Sequence, residues 1–493
     1  MKSFVFILLA AALLIGLGLV LTGGEDEHAL SDNPEAVALC EDGTRDANAF
    51  RLRSAVSKLG RALDLDPTLA EASIARAMAF ARLGEREHMQ TEVARADSLT
   101  AAIADDHRRL VAQLRLSGFL DSRFRAMRDS VLANLEETDP ENIHVLIALT
   151  AKAGKSDDPD AYEKAWLKIL EVDPNYANTY NMLGYMELNR GNYEAAIEYM
   201  KKYAFLAPDL ANPHDSMGEV LAVMGRYEEA EEEFIRSVSM QPDFYHSVIN
   251  LGKTYIARGQ LDKGLEYLEG MRSQVAGSDI EKRVDAEIVM TYLTAGLEKD
   301  LDRVSAEYVA KYPDDSFSCE LRGVRLAYMG RVAEGRAVMD SCLADWRQSE
   351  MYRDSEGVRQ HTEVAAYQFE ALAADAVGNH EAGAWNWDRA LETITGLPEH
   401  EKVYGRYRLA QDLFAVGKVA AALAQVDPLL ATNPRLIHVL VLKVKCHLEL
   451  GQGEQAREAL DQLQWSISQS DPDFPARVEA AELETLVSAM AGQ

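Results

Sequence analysis

Thirty-four residues separate Pro140 from Pro174, Pro174 from Pro208 and Pro208 from Pro242, and the series Gly184, Gly218, Gly252 and Gly191, Gly225, Gly259 keep the same step. A fixed period between about 20 and 50 residues marks an array in which each unit buries its apolar face only by stacking on its neighbours. At 493 residues the chain is long for one compact core. A stacked array grows by addition and needs no division into separate domains.

The residues inside one period account for the step. After Pro174, the residues Tyr180, Leu183, Gly184 and Leu188 fall on one helical face until Gly191 and Asn192 end the helix. A second helix carries Tyr193, Ala196, Ile197, Met200 and Tyr203 on its buried side. Small residues recur at two facing places, Gly184 with Ala196, Gly218 with Ala230 and Gly252 with Gly264, so two antiparallel helices can approach closely. Proline fixes its own φ and disfavours helix in the residue before it, which stops the second helix and starts the next unit.

This pattern resembles the tetratricopeptide repeat (TPR) family, carried by Tyr180-Asn181-Met182-Leu183-Gly184, Gly191-Asn192-Tyr193-Glu194-Ala195-Ala196 and Val172-Asp173-Pro174-Asn175. The resemblance implies an all-α fold, a right-handed superhelical solenoid of antiparallel helix pairs. Pro67 with Gly84, Pro313 with Gly330 and Pro434 with Gly451 extend the register outwards. The array is expected over 49–466 as about 11 helix pairs, best formed over 174–275, after an acidic linker and start of array at 25–48 and before a capping helix at 467–493. Ala101–Thr138 and Ile143–Leu170 depart from the pattern.

The amino end sets an expected compartment. Met1-Lys2 precedes an uncharged, largely apolar run from Phe4 to Leu21, followed by Glu25, Asp26 and Glu27. Eighteen residues of helix span about 27 Å, close to the bilayer's hydrocarbon thickness. This favours an uncleaved signal anchor at 1–24 over a cleaved signal peptide, with the rest facing the periplasm or another extracytoplasmic space. The alternative after cleavage is a secreted or periplasmic chain.

Charge narrows the partners. Lys and Arg number 51 against 80 Asp and Glu, a net of −29, so phosphate backbones are repelled and nucleic acid is not an expected partner. Four cysteines make no disulfide framework. Cys319 and Cys342 nevertheless occupy facing places on the two helices of one hairpin. They form either a disulfide, contributing roughly 3 kcal/mol in the chain-entropy account, or two buried thiols in the small-residue slots.

The chain has no Walker-type loop, Gly-x-Ser-x-Gly elbow, His-Glu-x-x-His, Cys-x-x-Cys or calcium loop, so no enzyme activity, cofactor or metal is expected. His400 between Glu399 and Glu401 is the nearest metal-like cluster and reads as a solvated helix entry. Recognition by surface remains. In stacked hairpins the first helices line a concave face, which here would present Asn178, Asn181, Tyr185 and Asn189, then Asn212, Asp215, Glu219 and Val223, then His246, Ile249, Asn250 and Lys253. These side chains suit a protein or peptide backbone. The lysine and asparagine constellation with which some TPR proteins clamp a terminal carboxylate is broken here by Asp215 and Glu219.

Between Gly330 and Gly378 the step is fourteen residues longer than the period, through either a projecting loop or a longer helix. The tail is expected to cap the array through Val478, Leu483, Leu486, Val487 and Met490. The expected function is a membrane-anchored, non-enzymatic extracytoplasmic scaffold that binds a protein or peptide on its concave face. The alternatives are an accessory of envelope assembly or polysaccharide export, and a ligand-sensing array resembling those attached to bacterial regulators.

Overall fold

The computed structural model describes residues 30–117, 122–154, 159–277, 279–294, 298–349, 352–353, 356–394 and 396–491. The expectations for the apolar leader at 1–24 lie outside these residues. Among the described residues, no helix is long and apolar enough to cross a membrane.

The described chain is a succession of α-helices joined by short turns, without strands. The regular hairpins show why. Helix Ala177–Arg190 ends on Gly191, whose φ of 80° is left-handed, while Gly191 N–H donates to Leu188 O and Asn192 N–H to Glu187 O. Those two bonds satisfy carbonyls that the helix end leaves open, and only glycine takes that backbone conformation cheaply. Helix Tyr193–Leu206 then returns antiparallel. The Asn212–Val223 and Tyr227–Met240 pair and the Tyr245–Ala257 and Leu261–Gln274 pair repeat the arrangement.

The small-residue slots let the paired helices interlock. A β-carbon at Gly218 would stand 2.6 Å from the Phe234 ring, and one at Gly184 an equal 2.6 Å from the Met200 methyl. Overpacking of that kind typically costs about 1–3 kcal/mol. Burial passes from hairpin to hairpin: Leu188, Ala196, Ile197 and Met200 pack with Met217, Val220 and Leu221 of the next pair, and these with Leu251 and Tyr255 beyond.

Several boundaries differ from the sequence expectation. The first hairpin already includes helix Pro34–Asn48, capped by the Asn33 side chain, which pairs with Leu52–Leu65. The two aberrant stretches also form hairpins, Asp106–Leu116 with Ser122–Thr138 and Ile143–Ala153 with Pro159–Val172. Excess length after Gly330 goes into longer helices, Val332–Gln348 of 17 residues and Glu356–Asp375 of 20. The final helix Pro475–Ala491 does pack on the array, but through Ala476, Ala480, Leu483 and Val487. Val478 and Leu486 are exposed instead, because the helix settles on the i, i+4, i+7, i+11 stripe.

The array is not an open rod. Its carboxyl end curls back onto the middle hairpins: Asn433 Nδ2 donates to Tyr227 OH at 3.0 Å, and Asp471 N–H to Gly259 O at 3.0 Å. Gln260 Nε2 donates to Gln469 O at 3.1 Å. The amino end reaches the same hairpins, where Gln241 Nε2 donates to Phe50 O at 2.9 Å and the Phe50 and Phe244 rings meet edge to face at 5.6 Å. Superhelical turns that touch in this way enclose their axis.

Candidate functional site: an enclosed lumen

Along this axis runs a partly open cavity of about 1770 Å³, walled mostly by apolar and aromatic side chains drawn from the first hairpins to the turn before the last helix. Phe50, Phe244, Phe317, Phe369, Trp387 and Phe474 all reach it, although they come from widely separated units.

Across this apolar wall runs a polar seam built by the first helices of the three regular hairpins. Asp215 and Glu219 lie one turn apart on helix Asn212–Val223, so both carboxylates point the same way. Tyr185 from the preceding unit donates its hydroxyl to Glu219 Oε2 at 2.6 Å, with Ser216 Oγ 3.1 Å away. From the following unit, Ser247 Oγ donates to Asp215 Oδ1 at 2.7 Å. Asn250 Nδ2 bridges both acids, 3.0 Å from Glu219 Oε1 and 3.3 Å from Asp215 Oδ1.

Burial raises both carboxyl groups above their ordinary range, and for Asp215 the neighbouring Glu219 charge adds to it. The Tyr185 hydroxyl is likewise held protonated, by burial first and then by Glu219 and Asp215. Burial and the Arg283 charge hold His246 neutral, and its Nε2 is buried without a hydrogen-bond partner. Lys253 pairs with Glu287 at 3.2 Å. Arg283 lines the lumen, donates to Tyr245 OH at 3.2 Å and lies 5.6 Å over the same ring. It makes no ion pair with a carboxylate among the described residues.

Of the residues expected on the concave face, Tyr185, Asn189, Asn212, Asp215, Glu219, Val223, His246, Asn250 and Lys253 line the lumen. Asn178, Asn181 and Ile249 do not. Asn181 is fully buried between helices, and both polar atoms of its amide lack a hydrogen-bond partner. Ile249 is also buried, packed with Val248, Ile256 and Leu268.

His400 and Glu401, expected at a solvated helix entry, sit in a 3₁₀ turn facing the lumen. Burial lowers His400 to about 4 and raises Glu401 to about 7. Glu399 borders the lumen as well and pairs with Lys402 at 2.9 Å and Arg406 at 2.6 Å. Cys319 and Cys342 form a disulfide across hairpin Ser316–Tyr328 and Val332–Gln348, with Cα atoms 6.2 Å apart. Cys40 and Cys446 are free and buried.

Sequence reasoning missed Arg283, Phe50 and Phe474 as lumen residues. Repeat register identifies the inner face of a unit, but which distant units share one lumen depends on the pitch of the superhelix. No short-range signal carries that pitch.

Hairpins of this length, slot geometry and glycine turn define a class, the helical-repeat scaffolds. The tetratricopeptide repeat family matches this chain at residues 165–198 and again at 407–473. It is a tetratricopeptide-repeat protein, and the repeats make it a scaffold for protein–protein interaction. No curated protein matches it in sequence. Among solved structures it is similar to that of the APC/C hetero-tetramer Cut9-Hcn1, at 11% identity over 91% of this chain and 84% of that one, with a TM-score of 0.41. It is also similar to PilW, a widely conserved type IV pilus biogenesis factor, at 18% identity over 43% and 96%, TM-score 0.36. The TPR domain of P58(IPK) aligns at 12% identity over 93% and 99%, TM-score 0.25. Scores of this size carry no argument about what this chain binds.

Proposed function

We propose that the protein is a non-enzymatic scaffold that captures an extended, largely apolar segment of a protein partner inside its lumen. The supporting observation is the combination of aromatic walls with the seam of Tyr185, Asp215, Glu219 and Asn250. Apolar walls supply affinity by excluding water, and a few fixed polar groups set orientation. Arg283, which makes no ion pair among the described residues, offers a donor fork to a backbone carbonyl or a carboxylate of the bound segment.

The location proposed is extracytoplasmic, held at a membrane by the apolar run from Phe4 to Leu21. A disulfide between Cys319 and Cys342 supports that reading, because such bonds persist in oxidising compartments.

Enclosure favours a second reading, a ligand-sensing array whose lumen takes a small molecule. Crosslinking in intact cells followed by affinity purification separates the two. A protein recovered from wild type and lost on Arg283→Ala and Tyr185→Phe supports capture. A small molecule released on denaturation, with no crosslinked protein, replaces it with sensing.

A further inference from the structure

Away from the polar seam, the hairpin turned by Gly378 breaks the repeat in a way that points to a metal. In other hairpins the position three before the turn glycine is apolar, as in Leu188, Ile256 and Ala327, and the position two after it is in most cases apolar or aromatic, as in Tyr193, Leu261 and Val332. Here those positions are Asp375 and His380. The next hairpin then presents Asp412 to both from helix Val403–Ala415.

One ligand atom from each of the three residues falls within 4.8 Å of the other two. His380 Nδ1 lies 2.8 Å from Asp412 Oδ1 and 3.7 Å from Asp375 Oδ1. Two ligands at ordinary zinc bond lengths in a tetrahedron stand about 3.4 Å apart, between those two values. Asp412 is only 3% exposed. The Asp375 side chain is 9% exposed.

Each carboxylate leaves one buried oxygen, Asp375 Oδ1 and Asp412 Oδ2, without a hydrogen-bond partner. Both oxygens converge on the face of Gly383, where a β-carbon would collide with each of them. A small residue is usual in this slot, but here it makes room for two acceptors and no donor. Arg408 Nη2 pairs with Asp375 Oδ2 at 2.6 Å, whereas Asp412 Oδ1 faces the His380 imidazole, which compensates a carboxylate charge only when protonated. Uncompensated buried carboxylate is costly, and removing it takes a proton or a cation.

We propose that Asp375, His380 and Asp412 bind a divalent first-row transition ion. One imidazole nitrogen with two carboxylate oxygens suits zinc or manganese better than magnesium or calcium, which favour all-oxygen shells. The His380 side chain is 40% exposed, which gives the ion an entry path and leaves an outward position for water. Bound there, the ion ties the end of helix Glu356–Asp375, the start of His380–Thr393 and the following hairpin into one rigid corner.

The test uses the full chain, stripped with chelator, loaded with zinc chloride or manganese chloride, desalted and assayed for metal by mass spectrometry. Wild type is expected to retain one ion per chain and to melt several degrees higher than its stripped form. Asp412→Asn and His380→Gln are expected to lose at least ten-fold in retained metal. Far-UV circular dichroism checks that each variant folds, and His380, being half exposed, serves if the Asp412 variant does not. Wild type that retains neither metal overturns the proposal in favour of a proton shared by the two carboxylates. Equal retention in a folded variant overturns it in favour of other histidines.

Discussion

Asn433 and Tyr227, 206 residues apart in sequence, share a buried hydrogen bond of 3.0 Å, and that bond closes the superhelix. Asn433 sits in the Asn-Pro turn before helix Ile437–Glu449, and Tyr227 opens helix Tyr227–Met240. Two residues on, Arg435 stacks over the Tyr227 ring at 5.0 Å and the Trp465 ring at 4.5 Å, and pairs with Glu228 at 2.5 Å.

The first prediction concerns this seal. Asn433→Ala leaves the buried Tyr227 hydroxyl without its partner, at a cost of about 1–3 kcal/mol to the contact between turns. Combined with Arg435→Ala, it is expected to open the array without melting its hairpins. Small-angle scattering reads this as a larger radius of gyration at unchanged helicity. An unchanged radius would mean that the remaining contacts between turns, Asp471 with Gly259 and Gln469 with Gln260 among them, suffice.

A second prediction concerns the seam. Tyr185→Phe keeps the ring and removes the donor to Glu219, leaving a buried carboxylate oxygen with one bond fewer. Hydrogen bonds to charged groups contribute about 1.5–3 kcal/mol net, and chemical denaturation should show a loss of that order. Partner capture should fall as well, whereas Phe205→Ala, at an exposed position away from the lumen, should leave capture intact.

Much of this was legible in the chain. Gly191, Gly225 and Gly259 reported their own left-handed turns because few other residues take that backbone conformation. Gly184 and Gly218 reported close helix approach for a similarly local reason. Tyr185, Asp215 and Asn250, expected on the inner face, line the lumen. Asn181, one turn before Tyr185 on the same helix, is fully buried and does not line it. Asp375, His380 and Asp412 escaped notice because they meet only after the chain has turned twice. The contact of Phe50 with Phe244 depends on accumulated rotation over many units, and no single unit records it.

A third prediction follows from Glu320, a lumen residue that is 9% exposed with a buried, unpartnered Oε1. Burial, and then Asp315, raises its carboxyl from 4.5 to about 7. The folded value is the higher, so the stabilising contribution is complete below about 4.5 and is lost as pH rises through about 7. Its size is on the order of 3 kcal/mol. Glu320→Gln should therefore flatten the stability profile between those limits, gaining on wild type toward alkaline pH. Parallel melting curves across that window check it, and identical slopes would refute it.

The fourth prediction separates the cysteines by chemistry. Cys319 and Cys342 are bridged, whereas Cys40 and Cys446 are free and fully buried. Burial raises the Cys40 thiol to about 12 and the Cys446 thiol to about 11, so neither holds appreciable thiolate at neutral pH. Because the thiolate is the nucleophile, the native protein should react with a thiol reagent at neither position on the timescale of minutes. Denaturation without reductant should expose Cys40 and Cys446 alone, and reductant should bring all four cysteines into reaction. Reduction of the native protein should in addition weaken the hairpin that carries the bridge, by about 3 kcal/mol in the chain-entropy account. Peptide mapping after alkylation assigns the reactive positions. Label on Cys319 or Cys342 before reduction would show that the hairpin holds two thiols and no bridge.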